Sequence, residues 1–216
     1  MMLVILAGIH GSGKTTVARI LSKSRRDIKI VTLDNASTFR FLFGKILGRT
    51  SFFTFSEIVT LLGMILSILK LRILTLLYYK NSLFLEHEGY LVKALAFQYY
   101  AFPIFKKIYK GSIPKSLYTV VNLSTRIAIK YLSSSYVVVI FLRLHSDVSK
   151  MREEKVGIKY RSFYLRLLAE TYDVIYKMLD SNGIKVFMFD VSRNPYNVAE
   201  AILKTLLALK YDYKKT

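Results

Sequence analysis

Five short apolar runs recur along the chain and are separated by longer stretches with helical periodicity. Short apolar runs bounded by turn signals are typical of buried strands, whereas apolar positions that repeat every three or four residues indicate helices. The clearest run, Y-V-V-V-I-F-L at 136–142, is apolar throughout and rich in β-branched residues, as expected for a strand covered on both faces. The predicted strands are 2–7, 29–33, 83–87, 136–142 and 185–189.

The segments between these runs predict helices at 13–24, 37–47, 55–79, 90–109, 115–132, 147–154, 162–181 and 195–209. Strands that alternate with helices favour a parallel sheet covered by helices on both faces. We therefore expect an α/β fold with a five-stranded parallel sheet, in one domain of 216 residues. Asp34, Glu86 and Glu88 should then share one rim of the sheet with the turn after the first strand.

Composition narrows the class of protein and of partner. The apolar content of 53% argues against a disordered chain, and the absence of cysteine excludes disulfides and thiolate metal sites. The absence of cysteine and the lack of a basic leader before the first apolar run together favour a cytoplasmic protein. The formal net charge of +19 attracts anions, namely nucleotides, nucleic acid or acidic lipid head groups.

The segment 55–79 is the one candidate for a membrane segment. Its apolar sequence is interrupted by Glu57, Lys70 and Arg72. A helix that spans a bilayer needs about 20 predominantly apolar residues, and one charge at the membrane centre costs at least ~2.5 kcal/mol. We therefore favour a buried or lid-forming helix, while peripheral contact with a membrane surface stays open.

The turn after the first predicted strand reads G-I-H-G-S-G-K-T and meets the phosphate-binding pattern G-x-x-x-x-G-K-[ST] in full. Glycines let successive backbone N–H groups point at phosphate oxygens, and the helix that follows adds its positive end. Lys14 is expected to contact the β- and γ-phosphates of ATP, Thr15 to hold Mg²⁺ and Thr16 to donate to the α-phosphate. The predicted nucleotide-binding residues here are Gly8, His10, Gly11, Ser12, Gly13, Lys14, Thr15 and Thr16.

Two glutamates follow the third predicted strand in the run L-F-L-E-H-E-G. Side chains alternate along a strand, so Glu86 and Glu88 should face one way and His87 the other. Because Mg²⁺ in such sites binds one or two carboxylates, we predict Glu86 as a metal ligand. Either glutamate is also a candidate for the group that orients or deprotonates an acceptor hydroxyl, while His87 is interpreted as structural.

These residues resemble the thymidylate kinase-like group of P-loop nucleoside and nucleotide kinases. That family has a P-loop at its N-terminus, then a third strand ending in D-R-[YFH] and a helix that carries A-Y-Q. In this chain Glu88 stands for the Asp, Tyr90 for the aromatic residue, and Ala96-Phe97-Gln98 for A-Y-Q. The resemblance implies a three-layer P-loop fold and acceptor contacts by Tyr90 and Gln98.

The resemblance also implies a layout of the single kinase domain. A core would comprise 1–36, 82–92 and 134–216, a helical acceptor-binding region about 37–81 and 90–132, and a lid about 152–162. The segment F-L-R-L-H-S-D-V-S-K-M-R, followed by G-I-K-Y-R, is similar to the family's acid-led helix and lid. Arg152 and Arg161 are its candidate catalytic cations, with Lys155 and Lys159 as alternatives to Arg161, and Asn194 lies in the predicted base-contacting loop.

Two departures leave the acceptor open. Gly89 replaces the family's Arg, which contacts the acceptor phosphate, and the family's T-R-E-P-G-G-T is missing after the second strand. Asp34 is a candidate for binding an acceptor hydroxyl, and Arg40 or Arg126 for replacing the lost Arg, although no motif supports them.

The sequence thus predicts a kinase that uses ATP and Mg²⁺ on a small-molecule acceptor, with a nucleoside or nucleotide favoured. A lipid-linked or membrane-surface acceptor and a polynucleotide are the alternatives, and the +19 charge motivates the polynucleotide. No nucleic-acid motif supports that alternative. A homodimer is compatible with the sequence.

Overall fold

The computed structural model describes residues 2–31, 51–77, 83–87, 89–96, 98, 115–155, 157, 162–192 and 194–212. Its strands are β1 (Met2–Ala7), β2 (Ile28–Val31), β3 (Leu83–Glu86), β4 (Val137–Arg143) and β5 (Val186–Asp190). Its helices are α1 (Lys14–Ser24), α2 (Ser51–Leu77), α3 (Lys115–Leu132), α4 (Ser146–Lys155), α5 (Ser162–Ser181) and α6 (Pro195–Asp212). Residues 90–96 are also helical.

The five strands form one parallel sheet in the order β2-β3-β1-β4-β5. β1 lies at the centre, and its residues are 4% exposed or less because sheet neighbours flank both edges and helices cover both faces. At the sheet edge, β5 is only half-buried over most of its length. The predicted α/β fold with a five-stranded parallel sheet is confirmed.

The helices form two layers, one on each face of the sheet. Parallel strands are joined by right-handed crossovers, so the direction of each step along the sheet decides which face its helix covers. The step from β1 to β2 runs towards one edge of the sheet, and the steps from β2 to β3, from β3 to β4 and from β4 to β5 run towards the other. Helix α1 therefore covers one face, and the helices of the other three steps cover the opposite face. α1 packs against α6, and α2 packs against α3. None of the described helices combines the length and apolar character needed to cross a membrane.

The sheet order places a crevice at the end of β1. The chain leaves β1 towards β2 on one side, whereas β4 and β5 lie on the other, and ligands in open parallel sheets bind at such a switch point. The carboxyl ends of all five strands lie along this rim. Residues 8–13 therefore emerge at the middle of the rim, between β3 and β4.

The predicted bounds of four strands need correction. β2 begins one residue earlier than predicted, and β3 ends at Glu86 rather than at residue 87. β4 and β5 each begin and end one residue later than predicted. The chain bends at His87 and passes through Gly89 with φ of +62°. The alternation that was expected to place Glu86 and Glu88 on one face of β3 is therefore interrupted after Glu86.

Several predicted features lie outside the described residues. They are the helix 37–47, the second half of the helix 90–109, lid residues 156 and 158–161, and the candidate residues Asp34, Arg40, Glu88, Lys159 and Arg161.

Candidate active site

Gly8, the first residue after β1, lies where no other residue type fits. Its φ of +149° falls in a region that residues with a Cβ rarely adopt. A Cβ at this position would lie 2.6 Å from the carbonyl oxygen of Leu142 and 2.8 Å from Oγ of Ser12. The glycine at the start of the motif is therefore required by the close approach of β4 and by the curl of the turn.

The turn leads directly into α1. The N–H of Ser12 donates to the carbonyl of Ile9 at 3.3 Å, and the N–H of Val17 donates to the carbonyl of Gly13 at 2.9 Å, which closes the first helical turn. Gly13 precedes the helix without a side-chain cap. The first N–H groups of a helix have no partner within the helix, so this end presents donors and a positive dipole.

A cleft of about 450 Å³ opens at this helix end. It is lined by residues 10–17 together with Arg152, Val191 and Pro195. Among these described lining residues the charged side chains are Lys14 and Arg152, both cationic. Backbone donors, a helix N-terminus and two cations make this cleft suitable for a polyphosphate.

The ammonium group of Lys14 lies over the turn. Its Nζ donates to the carbonyl oxygens of Gly8 and Ile9, both at 2.9 Å, and lies 3.4 Å from Oγ of Ser12. Ser12 is itself buried. The cation is therefore held beside the same backbone that presents N–H donors to the cleft.

His10 is a neutral imidazole near two lysines. Burial, followed by the nearby charges of Lys14 and Lys93, lowers the pKa of His10 from 6.5 to about 4. Lys93 was not among the residues predicted from sequence. It lies one helical turn after Gly89, since its N–H donates to the Gly89 carbonyl at 2.7 Å. No motif in the sequence marks this lysine, so sequence reasoning missed it.

Helix α4 braces the turn 8–13 from the side. Ser149 Oγ donates to the carbonyl of His10 at 2.6 Å. The guanidinium of Arg152 donates to the carbonyl of Gly11 at 3.2 Å and to the carbonyl of Val191 at 3.1 Å. Sequence reasoning selected Arg152 as a lid cation and missed Ser149, although the two occur at the i, i+3 spacing that places them on one helix face.

Glu86 ends β3 in register with Ile5 of β1 and Val31 of β2. Its side chain is fully buried, and its Oε2 accepts a hydrogen bond from the backbone N–H of Tyr90 at 3.1 Å. This bond ties the carboxylate to the first turn of the helical segment 90–96.

Gly89 explains one departure from the thymidylate kinase-like pattern. A Cβ at this position would lie 2.5 Å from the carbonyl oxygen of Leu6 and 3.1 Å from Cα of Ala7. Contacts this short require the backbone to move, and the φ of +62° adds strain for other residues. An arginine at position 89 is therefore incompatible with the approach of this segment to β1.

Three further predicted residues have defined surroundings. Asn194 Oδ1 accepts a hydrogen bond from the N–H of Tyr196 at 2.9 Å, which makes Asn194 the N-cap of α6. Its neighbours Val191 and Pro195 line the cleft of 450 Å³. Tyr90 is half-buried against the core, and Gln98 is buried.

A second and larger cleft, of about 720 Å³, borders the turn at Gly8 and Ile9. It lies between the ends of β4 and β5 and the first half of α5. Four carboxylates line it together with two arginines, and Arg143 contacts Asp173 at 3.2 Å. The carboxylates are Asp147, Glu170, Asp173 and Asp190. Because carboxylates repel phosphate, the smaller and wholly cationic cleft is the better triphosphate site despite its size.

Solved structures of P-loop kinases are similar to this chain. Deoxyadenosine kinase from M. mycoides with bound dCTP superposes with a TM-score of 0.66 at 17% identity, covering 96% of this chain and 100% of that one. The same enzyme with bound dATP gives 0.63 at 15% identity, covering 95% and 99%. Shikimate kinase from Acinetobacter baumannii in complex with shikimate gives 0.55 at 14% identity, covering 96% and 94%.

No protein-family model matches the chain, and no curated protein matches its sequence. At these identities the structural likeness establishes the fold. The chain therefore has the α/β fold of the P-loop kinases over nearly its full length.

Proposed function

We propose that this chain is an ATP-dependent phosphotransferase that moves the γ-phosphoryl group of ATP to a hydroxyl of a small acceptor. One observation carries the proposal. Residues 8–13 curl from the end of the central strand β1 into the N-terminus of α1, and the Lys14 ammonium lies over that turn. Phosphoryl transfer depends almost entirely on positioning and charge stabilisation, and this turn supplies donors and a cation for both.

The residues present fit a magnesium ion, which ATP carries in such chemistry. Mg²⁺ takes oxygen ligands and keeps several waters, and the exposed Thr15 hydroxyl and the Glu86 carboxylate are oxygen donors near the ends of β1 and β3. Among the described residues no group of three or more His, Asp or Glu side chains is arranged to hold a metal. That suits an ion bound largely by phosphate and water, where it supplies neutralising charge.

Glu86 is our candidate for the residue that orients the acceptor hydroxyl and takes its proton. The hydrogen bond from the Tyr90 N–H fixes the carboxylate beside β1. The alternative is that Glu86 only accepts the hydrogen bond at the start of the helical segment 90–96 and takes no part in the reaction. Glu86→Gln separates the two, because the amide oxygen of glutamine still accepts the Tyr90 bond but takes no proton. We expect turnover to fall about 100-fold or more with little change in Tm.

We propose that the acceptor carries no phosphate, which favours a nucleoside over a nucleotide. The close approach of Gly89 to Leu6 excludes the arginine that contacts the acceptor phosphate in the thymidylate kinase-like group. The carboxylates of the larger cleft would repel a phosphorylated acceptor. The names of the similar structures, deoxyadenosine kinase and shikimate kinase, also refer to acceptors without phosphate.

Membership of the thymidylate kinase-like group remains part of the proposal, supported by the run Glu88 to Gln98 in the sequence. Within the lid, Arg161 remains the candidate for contact with the transferring phosphoryl group. We assign Arg152 to bracing the turn, because its guanidinium donates to the Gly11 and Val191 carbonyls.

The test is ATP consumption by the purified protein with nucleosides, nucleoside monophosphates, shikimate and polyprenols as acceptors. Lys14→Ala should abolish turnover while the protein stays folded, and Lys23→Ala, which removes an exposed lysine of the same helix, should not. ATP binding is measured separately by calorimetry. Full activity of Lys14→Ala, or no ATP uptake by folded protein, would refute the proposal. Turnover with nucleoside monophosphates but with none of the other acceptors would refute only the choice of an acceptor without phosphate.

A further inference from the structure

Helix α2 is apolar on two opposite faces. One face packs into the molecule through residues that include Met64, Ile68 and Leu71, each 9% exposed or less. A helix of this kind normally carries polar residues on its other face. Here that face carries five exposed aliphatic residues, which we call the apolar stripe: Ile58, Leu62, Leu66, Leu69 and Ile73.

The apolar stripe is continuous and strongly exposed. Its members follow one another at intervals of three or four residues, which places them on one side of the helix. Leu66 is 66% exposed, Ile73 55% and Leu62 54%. From residue 58 to residue 73 a helix extends about 22 Å at 1.5 Å per residue. Contiguous exposed apolar surface on this scale marks a binding surface rather than ordinary scatter.

The charges alongside the apolar stripe have one sign. α2 packs against α3, and residues 58–77 and 115–132 contain no Asp or Glu. The one acidic residue in the sequence of α2, Glu57, precedes the stripe. The Lys and Arg residues of these two ranges are all exposed. They are Lys70, Arg72, Lys115, Arg126 and Lys130. Arg72 lies close enough to α3 to affect Tyr131 electrostatically, so its charge belongs to the shared layer.

We propose that the apolar stripe docks on an anionic lipid surface, with the cations of α2 and α3 contacting the head groups. An exposed apolar helix face beside basic residues, with no acidic residue along the stripe, is the pattern of a helix that lies in the plane of a membrane interface. Lipid head groups supply the negative charge and the acyl region supplies the apolar contact. A second copy of this chain fits less well, because apposed stripes would bring like-charged layers together.

This proposal is independent of the proposed phosphotransferase activity. The first measurement is co-sedimentation of the full chain with vesicles of phosphatidylcholine containing about one-quarter phosphatidylserine, compared with phosphatidylcholine alone. We expect binding to the anionic vesicles that weakens as salt rises. Arg126→Gln and Lys130→Gln should each weaken it about fivefold at low salt.

The apolar contribution is tested by the double variant Leu62→Asp, Leu66→Asp, which should weaken binding at least about tenfold. Val174→Asp is the matched control, since Val174 is 44% exposed on α5, away from the stripe, and should bind like the unaltered protein. Circular dichroism and gel filtration check folding. If the double variant does not fold, the single change Leu66→Ser at the most exposed position replaces it.

Three results would overturn the proposal. The first is no binding to anionic vesicles, and the second is equal binding by the stripe variants and the Val174→Asp control. The third is a dimer in solution that the stripe variants dissociate, without vesicle binding by the unaltered protein. That outcome would assign the stripe to contact between copies of the chain.

Discussion

The imidazole of His10 should make the protein lose stability as the pH falls from 6.5 towards 4. Its pKa is about 4 in the folded chain, against 6.5 for an ordinary histidine. Between these values the unfolded chain binds a proton that the folded chain does not, so the free energy of unfolding decreases with decreasing pH. Above pH 6.5 the ring is neutral in both states and contributes no pH dependence.

The size of the effect follows from the shift in pKa. Each unit corresponds to 1.36 kcal/mol, so the shift of His10 sets a ceiling of about 3 kcal/mol. The ring retains some contact with solvent, and solvent screens the charges of Lys14 and Lys93. We therefore expect about 1–2 kcal/mol between neutral pH and pH 4.

Urea unfolding of the unaltered protein and of His10→Asn, from neutral pH to pH 4.5, measures this contribution. The difference between the two proteins isolates His10, because every other group titrates in both. His145→Asn removes an exposed imidazole and controls for the loss of a histidine. A difference that stays constant across this range, or that shifts in favour of the unaltered protein as the pH falls, would refute the burial of a neutral His10 near Lys14 and Lys93.

The remaining predictions concern the residues around the turn. Gly89→Ala should destabilise the protein by about 3 kcal/mol in urea unfolding, because the added Cβ meets a carbonyl of β1. Gly183→Ala is the control, with φ of +70° but open space around the added Cβ, and should cost only about 1 kcal/mol. Equal costs would contradict the steric argument. Lys93→Met should raise the pKa of His10 in an NMR titration, since one nearby positive charge is removed; an unchanged pKa would place Lys93 too far away to matter. Arg152→Lys should raise the KM for ATP several-fold, because one ammonium replaces a planar donor to two carbonyls; an unchanged KM would refute the bracing role.

Local patterns in the sequence were sufficient to predict most of the secondary structure and the glycine-rich turn after β1. Helices α3 and α5 have the predicted bounds to the residue, and the five strands lie where apolar runs occur. Such features depend on hydrogen bonds and periodicities within a few residues, so the sequence of each segment suffices. The turn is the strongest case, because the steric need for Gly8 and the position of Lys14 arise within one short motif.

Contacts between distant segments could not be predicted in this way. The sequence marked Gly89 as a departure from a family pattern, but only the packing of its segment on Leu6 explains why an arginine is absent. The charge of Lys93 lowers the pKa of His10, and the Ser149 hydroxyl donates a hydrogen bond to the His10 carbonyl. Both contacts exist because the fold brings the turn 8–13, the segment 90–96 and α4 together at one rim of the sheet.

The amino-acid sequence by itself determined the class of fold, the glycine-rich turn after β1 and the excess of positive charge. Tertiary structure alone decided the strand order, the bracing of the turn by α4 and which side of α2 is exposed. The physical reason is the range of the interactions. Helical and strand periodicity is set by neighbouring residues. Both faces of α2 are rich in apolar residues, so the sequence of the helix does not decide which face is buried, whereas its packing in the fold, including that against α3, does.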